Sequence, residues 1–310
     1  MNKTAIIAGG LVLILIIVAV VFIWTEEPVV TPEPSQDSAD VQIDTEESVE
    51  EESAESEVAE TVERPTREVI GKSAGGRDIV AYSYGNGSRE LLLISGIHGG
   101  YAWNTALLGQ ELNDFLASSA SSLNDVRVTI IPVLNPDGLH MVTGSSERFA
   151  RADVNSSQEV QTTGRFNANR VDLNRNFDCE WQASGVWRNT PVSGGTAPFS
   201  EPESAALRDY IAKHRPDAVI AYFSAAGGVY ASNCRNGVLP ATRSLLSTYG
   251  VASGYQQHNE YDYYAITGDM VNWLAKEGIP AISVVLTDHT NTELPRNRAG
   301  LEAVIKSLQN

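Results

Sequence analysis

Four short apolar runs limit what this chain can fold into. They are LLLIS (Leu91–Ser95), VRVTIIPVLN (Val126–Asn135), DAVIAYFS (Asp217–Ser224) and AISVVLTD (Ala281–Asp288). Runs this short and this uniformly apolar read as strands buried on both faces. Helical spacing fills the gaps between them. Asn104–Ser118 carries Ala106, Leu107, Leu108, Leu112, Phe115 and Leu116 in that pattern. Ser200–His214 opens with Ser-Glu-Pro-Glu, which predicts Ser200 as N-cap, Pro202 in the first turn and Glu203 closing a capping box. Leu239–Tyr249, Gly268–Glu277 and Arg296–Leu308 also read as helices. Alternating strands and helices predict an α/β fold, a single domain with a mostly parallel mixed sheet covered by helices on both faces. Ahead of the four runs, REVIGKSAGGRDIVAYSYG predicts two strands joined around Ala74-Gly75-Gly76. Asn135-Pro-Asp-Gly is a turn signal. His140 to Asn169 reads as a long polar loop, of the kind that is usually functional or mobile.

The N-terminal fifth has a different character. Residues 5–24 are apolar or glycine without a charge, long enough to span a bilayer. Lys3 precedes them and Glu26 and Glu27 follow, so residues 1–4 stay cytoplasmic and the bulk of the chain faces outward, extracellular or periplasmic. A cleaved signal peptide is the alternative. The apolar core is long for one, and no small-x-small site follows it, so the expectation is a single-pass signal anchor. Residues 25–65 then form an acidic linker without an aromatic residue, too polar to order itself. The formal net charge of −17 comes from 39 acids and 22 bases, and 15 of those acids lie between Glu26 and Glu63. Setting them aside with Lys3 and Arg64 leaves a net of about −4 for residues 66–310. The acidity belongs to the tether. With no basic stripe, nucleic acid is excluded as a partner. Cys179 and Cys234 are the only cysteines. An outward-facing domain permits a disulfide between them, and two buried thiols are the other possibility.

Three motifs carry the chemistry. LLLIS runs into Gly-Ile-His-Gly-Gly, so a strand delivers His98 to a glycine turn at its C-terminal end, where α/β sheets place their sites. RVDLNRNFD (Arg170–Asp178) and PFSEPES (Pro198–Ser204) are the other two. Together they resemble the zinc carboxypeptidases of the carboxypeptidase A type, over roughly Arg67 to Asn310. The resemblance implies the carboxypeptidase A-like (phosphorylase/hydrolase-like) fold. It also implies a zinc ion held by two histidines and a glutamate with a water in the fourth position. A second glutamate acts as general base, an arginine stabilises the oxyanion, and an Asn-Arg pair with a tyrosine holds the substrate's C-terminal carboxylate.

Carried over by position, the resemblance is incomplete. His98 matches the first histidine ligand, and Asp172 the carboxylate that orients it. Arg165 matches the oxyanion arginine. Asn174, Arg175 and Tyr264 match the carboxylate-binding set, and Val271 stands about where the family sets end-residue preference. The glutamate ligand falls on Ala102, or on Tyr101 with the shorter spacing. The second histidine falls on Phe223 and the general base on Val285. Asp288 and His289 follow, and His289 is the one nearby histidine and the candidate replacement ligand.

The losses form a set. Zinc carries two positive charges and the two missing glutamates carried two negative ones, so removing all three leaves the local charge nearly unchanged. Losing the metal alone would leave two carboxylates facing each other. The replacements are apolar, which costs little in a dry pocket. Without a base there is no activated water. The expectation is a membrane-anchored pseudopeptidase without a cofactor. It would still grip peptides, or peptidoglycan stem peptides, by a free C-terminal carboxylate. The alternatives are an active metallocarboxypeptidase with non-standard zinc ligands, and a purely structural interaction surface.

Overall fold

The computed structural model describes residues 65–309. In chain order the first elements are β1 (Thr66–Lys72), β2 (Asp78–Tyr84), β3 (Arg89–Ile94), α1 (Trp103–Ser119) and β4 (Val126–Ile131). Next come α2 (Pro136–Thr143), α3 (Gln158–Thr163) and a small hairpin, β5 (Ser184–Trp187) with β6 (Thr190–Ser193). Then follow α4 (Pro202–His214), β7 (Ala218–Ser224), β8 (Gly228–Ala231), α5 (Pro240–Ser253) and β9 (Gln256–His258). The last are α6 (Met270–Lys276), β10 (Ala281–Leu286) and α7 (Leu294–Leu308).

The main sheet has the order β1-β2-β4-β3-β7-β10-β8-β9. Its centre, β4-β3-β7-β10, is parallel throughout and is built from the four apolar runs. β1 and β2 pair antiparallel, as their glycine turn predicts, and β8 runs antiparallel to β10. Alternate residues of each central strand enter different cores. Leu92, Ile94, Val219, Ala221, Phe223, Ala281 and Val285 pack with Leu207 and Ile211 of α4 and with Trp273 and Leu274 of α6. Leu91, Leu93, Ile220, Tyr222, Ile282 and Val284 pack with α1, α5 and α7, including Leu108, Leu112, Tyr249 and Leu301. Each fully buried aliphatic side chain contributes about 1.5–3 kcal/mol, so two covered faces explain why the strands show no polar alternation.

Three local expectations need correction. Asn135-Pro-Asp-Gly starts α2 instead of a turn. The Asn135 side chain accepts a hydrogen bond from Gly138 N at 2.9 Å, and Pro136 takes the first helical position. Asparagine caps and asparagine turns use the same bond, and the residues beyond Gly138 decide between them. The N-cap of α4 is Glu201, without a side-chain cap, instead of Ser200. The capping box fails because Glu203 turns to Ala74 N (2.9 Å) and Asn167 (3.1 Å). The polar segment from His140 to Asn169 is not all loop, since it holds the end of α2 and all of α3.

Among the described residues no helix is long and apolar enough to cross a membrane. The expected anchor at residues 5–24 and the expected linker lie outside the described residues, apart from Pro65.

Candidate functional site

The site is built at the C-terminal ends of β3, β7 and β10. After β3 the chain turns through residues 95–102, and Ala102 N donates back to His98 O at 3.0 Å before α1 begins. The paired glycines let this turn lie flat on α2. A Cβ on Gly100 would stand 2.2 Å from Val142 Cγ2. His98 is buried, and its Nε2 lies 3.2 Å from Asp172 Oδ1. Asp172 caps a short helical turn at 173–175 through Asn174 N (3.1 Å), and its other oxygen accepts from Arg165 Nε (3.0 Å) and Nη2 (2.8 Å). Burial, reinforced by the Arg165 guanidinium, pushes the His98 imidazole down to about 4. Burial works against the Asp172 carboxylate, yet Arg165 and the His98 bond hold it far below the usual range. Neutral His98 therefore donates from Nε2 to a permanently charged Asp172, and Nδ1 makes no hydrogen bond among the described residues.

Around this pair lies a cavity of about 540 Å³ lined by His98, Tyr101, Arg165, Asn174, Arg175, Phe223, Tyr264 and Val285, among others. Phe223 and Val285 are direct register partners on neighbouring parallel strands, so both side chains leave the same face of the sheet. The Phe223 ring centroid is 6.0 Å from that of His98. Ala102 is buried and does not line the cavity, whereas Tyr101 does. Of the two candidate positions, Tyr101 presents its side chain at the cavity and the short Ala102 methyl does not.

His289 is engaged at both ring nitrogens. Nε2 lies 3.2 Å from Tyr101 Oη, and Nδ1 lies 3.0 Å from Ser224 Oγ. The proton positions follow from Asn104. Its Nδ2 donates to the carbonyls of Asp288 (2.8 Å) and Asn291 (3.0 Å), so its Oδ1 must be the acceptor for Ser224 Oγ at 3.1 Å. Ser224 has then used its proton, and His289 Nδ1 must donate to it. Burial first, then Arg188 and Arg165, holds the His289 pKa below its ordinary value. The neutral ring leaves Nε2 as acceptor for Tyr101, whose oxygen also accepts from Arg188 at 3.1 Å. In this tautomer His289 can neither deprotonate Ser224 nor offer a free lone pair.

The third group is Asn174, Arg175, Tyr264 and Asp269. Arg175 is 1% exposed and forms no ion pair with any described residue. Nη1 donates to Asn174 O (2.8 Å), Nη2 donates to Val186 O (2.9 Å), and Nε has no partner. The Tyr264 ring centroid is 5.9 Å from its guanidinium. Gly268 closes this corner. Its φ of +64° is a left-handed conformation, and a Cβ there would stand 2.1 Å from Arg175 O. Val271 does not line the cavity. It is 1% exposed in the core, because Asp269 caps α6 and turns Val271 inward while Asp269 and Asn272 line the cavity. Asp269 accepts from Asn174 Nδ2 at 2.8 Å, and burial raises its pKa. Sequence reasoning also missed Trp187, at the tip of the β5–β6 hairpin. Its ring lies 4.4 Å from the Arg165 guanidinium and 4.8 Å from the Tyr101 ring. Nothing in a tryptophan 22 residues beyond Arg165 signals that contact.

The Cys179–Cys234 disulfide is formed, with Cα atoms 6.0 Å apart. It joins the segment after Arg175 to the segment after β8. Glu180 and Arg235 add an ion pair at 2.6 Å beside it, and Gly268 N donates to Cys179 O at 2.7 Å.

The donor set does not fit a zinc ion. Zinc needs three protein ligands. Here His98 offers one nitrogen, both nitrogens of His289 are occupied, and Phe223 and Val285 have no donor atom. Among the described residues no three histidine, cysteine, aspartate or glutamate side chains converge as a metal site.

The zinc carboxypeptidase profile matches residues 56–301. The chain is 25% identical over 244 residues to gamma-D-glutamyl-L-diamino acid endopeptidase 1 of Lysinibacillus sphaericus, covering 72% of this chain and 60% of that protein. It is 28% identical over 237 residues to carboxypeptidase A6 of Homo sapiens, covering 68% and 52%. The chain thus spans little more than half the length of these relatives. Among solved structures, murein-tripeptide amidase MpaA from Escherichia coli O157 gives a TM-score of 0.54 at 20% identity, over 79% of this chain and 92% of that one. Bovine thrombin-activatable fibrinolysis inhibitor gives 0.59 at 18% identity, over 79% and 88%. At those identities the solved structures bear on the fold alone. With the profile covering nearly all of the described residues, the chain belongs to the zinc carboxypeptidase family.

Proposed function

We propose that this protein is a pseudopeptidase, a membrane-anchored carboxypeptidase-like domain outside the cytoplasm that binds peptide C-termini without cutting them. The observation that carries this reading is Arg175. A guanidinium 1% exposed, in no direct ion pair and with an unbonded Nε, lines a cavity of about 540 Å³ within the field of the Asp172 and Asp269 carboxylates. Those carboxylates offset only part of the cost of burying the charge, and an incoming carboxylate would add charge-assisted hydrogen bonds. Hydrolysis has no such support. The base position holds Val285, and His289 is held in a tautomer that cannot take a proton from Ser224. The named activity of the Lysinibacillus relative, on a gamma-D-glutamyl-L-diamino acid bond, favours cell-wall stem peptides as the ligand class.

Calorimetry with short peptides as free acids and as C-terminal amides tests the binding. Free acids should bind at least tenfold tighter, since a hydrogen bond to a charged group is worth about 1.5–3 kcal/mol. Arg175→Met should abolish the difference, and equal affinity in the unaltered protein would refute carboxylate capture. Stoichiometric zinc together with chelator-sensitive release of C-terminal residues would establish the active-enzyme alternative instead.

A further inference from the structure

One of the three sequence motifs, Pro198–Ser204, contributes nothing to the cavity lining. Its two carboxylates are nevertheless buried, Glu201 at 5% exposure and Glu203 at 0%. Neither forms an ion pair with any described residue, and Arg77 pairs with Asp137 at 2.8 Å instead. Glu201 is the N-cap residue of α4, but its side chain makes no cap bond to that helix. Burying two unpaired carboxylates is costly, and the helix they stand on takes no return from Glu201. Their hydrogen bonds go elsewhere.

They grip both ends of the segment 167–176. At one end Glu201 Oε2 accepts from Asn167 Nδ2 and from Asn169 Nδ2, each at 2.8 Å. Glu203 Oε2 accepts from the same Asn167 amide at 3.1 Å, which uses both of its protons. Asn167 Oδ1 in turn accepts from Asn169 N (3.1 Å) and Val171 N (3.0 Å), closing the loop between Arg165 and Asp172. At the other end Glu201 N donates to Asn176 Oδ1 at 3.0 Å, and Ser204 Oγ donates to the same oxygen at 2.6 Å. Glu201 therefore holds Asn167 with its side chain and Asn176 with its backbone. Between these anchors lie Asp172, Asn174 and Arg175, and Arg175 N donates to Asp172 O at 2.8 Å within the helical turn 173–175. Ionised acceptors make shorter and stronger bonds than neutral ones, and a buried network with its amide protons satisfied is rigid.

We propose that Glu201, supported by Glu203, is a positioning residue that aims the Arg175 guanidinium into the cavity by fixing Asn167 and Asn176. The role rests on the reading of Arg175 as the carboxylate-capturing group. Glu201 acts through the 167–176 segment and touches no ligand itself. Releasing either anchor lets the turn 173–175 rotate, and the direction of the guanidinium changes with it.

The test uses the full chain, with acetylated trialanine as free acid and as amide, and two readouts. Calorimetry gives the acid-to-amide affinity ratio. The Arg175 Nε–H resonance, assigned with Arg175→Met, reports the guanidinium without any peptide. Glu201→Ala should lower the ratio about tenfold and displace or broaden the resonance. Glu201→Gln still offers an amide oxygen to Asn167 and Asn169, so it should keep the ratio within about threefold of the unaltered protein and leave the resonance in place. Where Glu201→Ala does not fold, Glu201→Asp replaces it. That variant keeps the charge but withdraws the acceptor by one methylene, and it should show the same two changes. A folded Ala or Asp variant with an unaltered ratio and an unmoved resonance overturns the positioning role and leaves carboxylate capture standing. Equal loss in the Gln and Ala variants also overturns it, since charge and not hydrogen-bond geometry would then act. Absence of an acid preference in the unaltered protein refutes carboxylate capture, and the resonance alone then decides whether Glu201 positions Arg175.

Discussion

The resemblance puts His98 at the family's first ligand position, and the structure holds it as a buried neutral donor to Asp172. Its pKa falls to about 4 in the folded protein, against about 6.5 in an unfolded chain. Between those values the unfolded state binds the extra proton, so stability is fully present above pH 6.5 and is lost as pH falls toward 4. The loss amounts to about 3 kcal/mol. Chemical denaturation of the unaltered protein and of His98→Gln at pH 7 and pH 4.5 isolates it. The variant should show a shallower decline, and parallel declines would mean that His98 titrates normally. Much at this scale was legible in the sequence. His98, Asp172, Arg165, Asn174, Arg175 and Tyr264 sit in dense local motifs, and all except the supporting Asp172 line one cavity. The misses come from geometry that spacing does not carry. One extra glycine decides whether Tyr101 or Ala102 faces the cavity, and the cap of α6 decides that Asp269 faces it while Val271 does not.

Strand register bears on the proposed loss of the site, which rests on single positions. β7 and β10 pair in parallel, and Phe223 opposite Val285 puts the position expected for the second ligand beside that expected for the base. Both are cavity-lining, so donors placed there meet His98 without repacking the core. Phe223→His and Val285→Glu combined with Tyr101→Glu should therefore bind zinc at one ion per chain, measured by metal analysis after dialysis. The same pair combined with Ala102→Glu should bind none, because Ala102 lies off the cavity. The reverse result would restore the longer spacing. The disulfide acts at the same scale. Closing a separation of 55 residues stabilises the fold by about 4 kcal/mol in the chain-entropy account. Cys179→Ser with Cys234→Ser should lower the unfolding free energy by about 2–4 kcal/mol and weaken peptide binding, since Cys179 O holds the Gly268 corner beneath Arg175. An unchanged denaturation midpoint would contradict this. The central strands were legible because burial on both faces leaves a continuous apolar signature. β5, β6 and β9 are three or four residues long and carry none, and β8, Gly-Val-Tyr-Ala and buried throughout, is too short to stand out.

Charge is divided unevenly over the whole chain. Fifteen of the 39 acidic residues lie between Glu26 and Glu63, ahead of a domain that is close to neutral. A globular surface gains nothing from a neighbouring block of like charge, whereas the proposed tether would, because self-repulsion would extend it and hold its cargo away from an anionic membrane. The proposed outward placement would also account for the formed disulfide, which an oxidising compartment preserves. The proposed membrane anchoring rests on these features and on residues 5–24, an uncharged apolar stretch of bilayer-spanning length. In cells, the protein should remain in the membrane fraction through alkaline carbonate extraction. Protease added to intact spheroplasts should release a fragment of the size of residues 66–310, cut within the acidic segment and protected beyond it. Deleting residues 1–24 should move the protein to the soluble fraction, where its two cysteines would be read as free thiols by alkylation. A full-length chain that extracts with carbonate, or one protected from external protease, would require either a cleaved leader or the opposite orientation.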